Sequence, residues 1–71
     1  MANSEKLMSR IRELGLKQQD IADALGIKQS SLSLKINNKR PFYIHEAFLM
    51  ARLLQIPDDE FGSYFFVSEV A

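Results

Sequence analysis

At 71 residues the chain has room for one domain and a small core. An apolar fraction of 46% favours folding over disorder, and the absence of cysteine excludes a disulfide scaffold, a thiol nucleophile and a thiolate metal site. Nine basic and nine acidic residues cancel, so net charge by itself draws the chain toward neither polyanions nor polycations.

In chain order, residues 4–14 read as a first helix, because Leu7, Met8, Ile11 and Leu14 recur at three- and four-residue spacing before Gly15. A second, short helix is expected from Gln18 to Leu25, with Ile21, Ala22 and Leu25 as its apolar stripe. Gly26 follows where a tight turn requires positive φ. The third helix is expected from Lys28 or Gln29 to Asn37, with Leu32 and Ile36 buried. Asn37–Asn38–Lys39–Arg40–Pro41 is a loop by composition.

The fourth helix is predicted over 44–55, its stripe formed by Ala47, Met50, Ala51 and Leu54 and widened by Phe48 and Leu53. Pro57 ends it. Asp58 is expected to cap a short fifth helix that carries Phe61, Tyr64 and Phe65 inward. Residues 67–71 are expected to be extended or frayed. The fold class is therefore all-α: a compact single domain of five helices over residues 1–71, with no sheet.

No apolar run reaches the roughly 18 residues of a membrane-spanning helix, and residues 1–6 lack the apolar centre of a signal peptide. A cytoplasmic protein without membrane contact is expected. His45 stands alone, with no second histidine and no cysteine, so neither a metal site nor a cofactor is expected. There is no glycine-rich phosphate loop and no nucleophile–base pair, which excludes an enzyme.

Residues 18–33 are the most informative. Two short amphipathic segments flank a single glycine, and the second presents Gln29, Ser30, Ser31 and Ser33. Serine is a poor helix former, so this run is badly explained by helix propensity and well explained by a face that meets base edges. Charge supports the same location. Residues 17–40 carry Lys17, Lys28, Lys35, Lys39 and Arg40 against Asp20 and Asp23, whereas residues 57–71 carry Asp58, Asp59, Glu60 and Glu69 and no base.

With Gln18, Ile21–Ala22, Leu25–Gly26–Ile27, Gln29–Ser30–Ser31–Leu32–Ser33, Asn37–Asn38–Lys39–Arg40 and Met50–Ala51…Leu54…Ile56 at their observed spacings, the chain resembles the Cro and phage-repressor family of helix-turn-helix proteins. The stretch Ser33–Leu34–Lys35–Ile36–Asn37 resembles the short Cro-like regulators of phages that infect Gram-positive bacteria. The resemblance implies a DNA-binding transcriptional regulator in the bacterial cytoplasm. It would bind a double-stranded operator as a homodimer, with the helix-turn-helix at about residues 17–37. It implies that Gln18 touches a phosphate, that Gln29, Ser30 and Leu34 meet base edges with Ser33 and Lys28 beside them, and that Asn37, Lys39 and Arg40 grip the backbone. No small-molecule ligand is expected.

Three departures from the family pattern carry their own readings. Lys17 and Lys28 stand at N-cap positions where threonine or serine is common, which suggests that both ammonium groups contact phosphate. Asn38 replaces a common glycine and tolerates left-handed geometry. Leu34 replaces a polar residue and suits a thymine methyl.

Elsewhere, the Lys35 stem is expected to pack while its head reaches water or phosphate. His45 is expected to be exposed, and Tyr43 either packs or donates its hydroxyl to phosphate. Residues 58–71, with Phe66 exposed, are the expected dimer contact. The alternative function is a protein-binding module on the same fold, such as an antirepressor or antitoxin, which the zero net charge would suit.

Overall fold

The structure, a computed structural model, describes residues 1–66. Among these residues five helices follow one another: α1 Ser4–Glu13, α2 Gln18–Leu25, α3 Gln29–Ile36, α4 Ile44–Leu53 and α5 Phe61–Phe65, the last entered through a 3-10 turn at Asp58–Glu60. Among the described residues there is no strand, as an all-α class requires. The expectations for residues 67–71, including the end of the expected dimer contact, lie outside the described residues. None of the described helices is long and apolar enough to cross a membrane.

Helices of five to ten residues are marginal alone, so burial of one face must hold each of them. The largest fully buried side chains are Leu7 from α1, Ile21 from α2, Leu32 and Ile36 from α3, and Met50 and Leu54 from α4 and its end. Each contributes about 1.5–3 kcal/mol. Tyr64 and Phe65 of α5 complete the core, and Phe65 meets Phe42 edge to face at 5.6 Å between ring centres.

Local chemistry sets the helix ends. Asn3 caps α1 by accepting the Lys6 N–H at 3.1 Å. At the end of α2, Gly26 takes φ 72°, and the Ile27 N–H then reaches the Ala22 carbonyl at 3.0 Å. α4 stops at Leu53 rather than at residue 55, because Gln55 adopts φ 53°. The freed carbonyls there are taken up by Arg10 of α1, whose Nε donates to Leu54 O at 2.8 Å and whose Nη2 donates to Gln55 O at 3.4 Å.

Three further expectations need correction. Phe48 and Leu53 do not widen the buried stripe of α4; both are exposed, since the core closes on Ala47, Met50, Ala51 and Leu54 alone. Asp58 does not hold a cap position: it is the first residue of the 3-10 turn, and the positions before that turn and before α5 belong to Pro57 and Glu60, neither of which makes a side-chain cap bond. The head of Lys35 is not in water: the whole side chain is buried against Glu46. His45 and Phe66 are exposed as expected.

Candidate nucleic-acid interface

α2 packs on α3 and α4, with Gly26, Ile27 and Lys28 joining it to α3. The apolar side of α3 is spent on Leu32 and Ile36, which have no exposed surface, so 3.6-residue periodicity turns Ser30, Leu34 and Asn37 outward, while Gln29, three residues before Leu32, is exposed at the open first turn. All four are exposed, and Ser33 beside them is half-buried. The outer strip carries no charge. It offers an amide that both donates and accepts, hydroxyls that do either, and one apolar surface, which matches the mixed pattern of a base-pair edge.

Exposed cations stand at the starts of α2 and α3. Lys28 is the N-cap residue of α3 and Lys17 that of α2; both are exposed, and neither side chain caps its helix. The first amides of each helix therefore lack a side-chain acceptor, and an anion at that end meets both the N–H groups and an ammonium.

The loop after α3 is folded back on the last helical turn. The Lys39 and Arg40 N–H groups both donate to Leu34 O, at 2.8 and 3.3 Å, while their side chains are exposed. Asn37 is partly engaged already: its Nδ2 donates to Ser33 O at 2.9 Å and closes the end of α3. Asn38 adopts φ 62° and is tied to Ala2 through both ends of its amide. Gln18 is half-buried, and its Nε2 is directed at Met8 Sδ of α1, 3.4 Å away.

Sequence reasoning missed an ion pair beneath this loop. Lys35 Nζ lies 2.7 Å from Glu46 Oε1, with side-chain exposures of 8% and 4%. Nζ also donates to Pro41 O at 3.3 Å and sits 4.5 Å from the centre of the Tyr43 ring. The same Glu46 oxygen accepts the Tyr43 N–H at 2.9 Å, at the start of α4. Burial pushes the Glu46 carboxyl up, but the hydrogen bonds from Lys35 and Tyr43 and the attraction of Lys35 and His45 together hold it below its usual value. The signal for this pair was present. Glu46 leads the 46, 50, 54 spacing of α4, and Lys35 lies between Leu32 and Ile36 on the inner side of α3.

A second surface is apolar. Phe61 contacts the rings of Phe48 at 5.1 Å, Phe65 at 5.0 Å and Phe66 at 5.4 Å between centres. Phe48 and Phe66 are more than half exposed, as is Ile44 on the same helix as Phe48. A groove lined by Phe48, Ala51, Arg52, Ile56, Asp58 and Phe61 carries one cation and one anion at this face.

Residues 2–68 match the family described as "Protein of unknown function (DUF739)", and the chain belongs to that family. A search of the curated proteins gave no match.

Proposed function

We propose that this chain is a sequence-specific double-stranded-DNA-binding regulator of transcription, built like a Cro or phage repressor. In this reading α2 and α3 are a helix-turn-helix and α3 lies in the major groove. Gln29, Ser30, Ser33 and Leu34 read base edges. Lys17, Lys28, Lys39 and Arg40 contact phosphates, with Gln18 and Asn37 beside them. The carrying observation is the uncharged outer strip of α3, exposed along its length and flanked in the chain by the exposed Lys28, Lys39 and Arg40.

Zero net charge is compatible with this function because Lys28, Lys39 and Arg40 flank α3 in the chain, while Asp58, Asp59 and Glu60 stand together before α5. A homodimer on a palindromic operator would place its half-sites about 34 Å apart. The face of Phe48, Phe61 and Phe66 is the surface for that second copy, since exposed aromatics of this extent mark contact sites.

That same face supports a second reading, in which the chain binds a protein partner as an antirepressor or antitoxin and reads no DNA. Selection of bound duplexes from a random pool separates the two. The first reading expects a palindromic consensus and affinity that falls steeply with salt. Absence of any enriched duplex at low salt overturns it.

A further inference from the structure

The loop that carries Lys39 and Arg40 is held from two sides. From the front, the carbonyl of Leu34 accepts both of their backbone N–H groups. From behind, the neighbouring residue Lys35 donates to Pro41 O, and Glu46 holds both the Lys35 ammonium and the Tyr43 N–H on one oxygen. The pair thus links the last turn of α3, the far end of the loop and the first turn of α4. Tyr43 covers the ammonium with its ring, 4.5 Å away, and excludes water from one side.

Stability is a poor explanation for such a pair. Two charges taken out of water lose hydration that their mutual attraction seldom exceeds, and apolar replacements of similar volume are often no less stable. An apolar pair cannot, however, donate to the Pro41 carbonyl or accept the Tyr43 N–H. Direction is what the ions supply.

We infer that Lys35 and Glu46 are positioning residues that fix the 37–43 loop, and with it the placement of Lys39 and Arg40 against phosphate. The loop-fixing part stands on the geometry alone; the phosphate part rests on the DNA-binding reading above. Neither residue touches DNA in this account. Each acts through the backbone of the loop, so their loss alters phosphate contact and leaves base reading by Gln29 and Ser30 in place.

The test compares the wild-type chain with K35M/E46L, which removes the tether, and with K35Q/E46Q, in which two amides retain a neutral hydrogen-bonded link. Thermal stability, amide hydrogen exchange of the free protein and DNA affinity across a salt series are measured for each. In K35M/E46L we expect the Lys39 and Arg40 amides to exchange roughly tenfold faster while those of α1 and α2 keep their protection. The slope of affinity against salt should fall by about one to two units at an unchanged base preference. K35Q/E46Q should recover most of both.

Unchanged exchange at Lys39 and Arg40 in a folded K35M/E46L overturns the inference. So does failure of both variants to fold, which would make the pair a condition of folding. Faster exchange with an unchanged salt slope overturns the phosphate part. If the wild-type chain binds no duplex, the DNA-binding reading and the phosphate part fall together, and exchange still decides whether the pair fixes the loop.

Discussion

Asn38 and Ala2 exchange two hydrogen bonds: Asn38 Nδ2 donates to Ala2 O and Asn38 Oδ1 accepts the Ala2 N–H, each at 2.9 Å. One amide side chain thereby serves as the pairing partner for a residue 36 positions away in sequence. With Asn3 N–H donating to Tyr64 O at 2.8 Å and Ser4 Oγ donating to Ile36 O, it fastens the chain start between α3 and α5. Because Asn38 also adopts φ 62°, its role divides into a backbone part and a side-chain part.

Substitutions at Asn38 separate those parts. N38G keeps the turn and loses the two hydrogen bonds to Ala2, each worth about 0.5–1.5 kcal/mol, and a longer one to Ser4 Oγ at 3.4 Å. N38A loses the same bonds and adds a left-handed backbone cost of about 1–2 kcal/mol. Urea unfolding should therefore order the stabilities as wild type, then N38G, then N38A. Equal stability of the two variants would show that the turn opens rather than bears strain.

Acid should weaken the fold through Glu46. Its carboxyl is held below the usual value in the folded chain, so its contribution is fully present above the unfolded value of about 4.3. That contribution is lost as pH falls through the lower, folded value. Unfolding free energies measured between pH 7 and pH 3 should decline less steeply for E46Q than for the wild type. Parallel declines would assign the acid sensitivity to other carboxylates.

Breaking the ion pair on one side should cost more than removing it. K35M strands a buried carboxylate and should destabilise the chain by about 3–5 kcal/mol, whereas K35M/E46L should lie near the wild type or above it. A double-mutant cycle by urea unfolding reads the difference as coupling. Additive effects would mean that the two charges are not felt as a pair.

At the helix starts, K17T and K28T should each raise stability by about 0.5–2 kcal/mol, since threonine can cap where lysine does not. In the proposed complex, each should also lower the salt slope of DNA binding by about one unit. A variant that gains stability with its salt slope intact would remove that lysine from the phosphate contacts.

The aromatic face gives the clearest test of self-association. F48S and F66S change exposed rings, so thermal stability should move by less than about 1 kcal/mol. Sedimentation should shift from dimer toward monomer on the operator. Unchanged dimerisation in the double variant would leave this face to a different partner.

Periodicity alone located most of the fold. The three- and four-residue spacing of Leu7 and Ile11, of Ile21 and Ala22 to Leu25, of Leu32 and Ile36, and of Met50 and Leu54 marks four helices, because helical geometry brings those positions to one side. Gly26 and Asn38 marked two of the four left-handed positions among the described residues, since few residues enter that region without strain. The outer residues of α3 were legible for the same reason, as what remains when Leu32 and Ile36 face inward.

Only the tertiary structure decided which long-range partners those elements meet. Helical spacing ranks Lys35 and Glu46 as inward-facing, but pairing two opposite charges there depends on how α3 and α4 approach across the loop. Arg10 at the end of α4, Asn38 on Ala2 and Gln18 on Met8 are likewise contacts between distant segments. Local sequence sets each side chain's direction on its own helix; the packing of one helix on another sets what that direction points at.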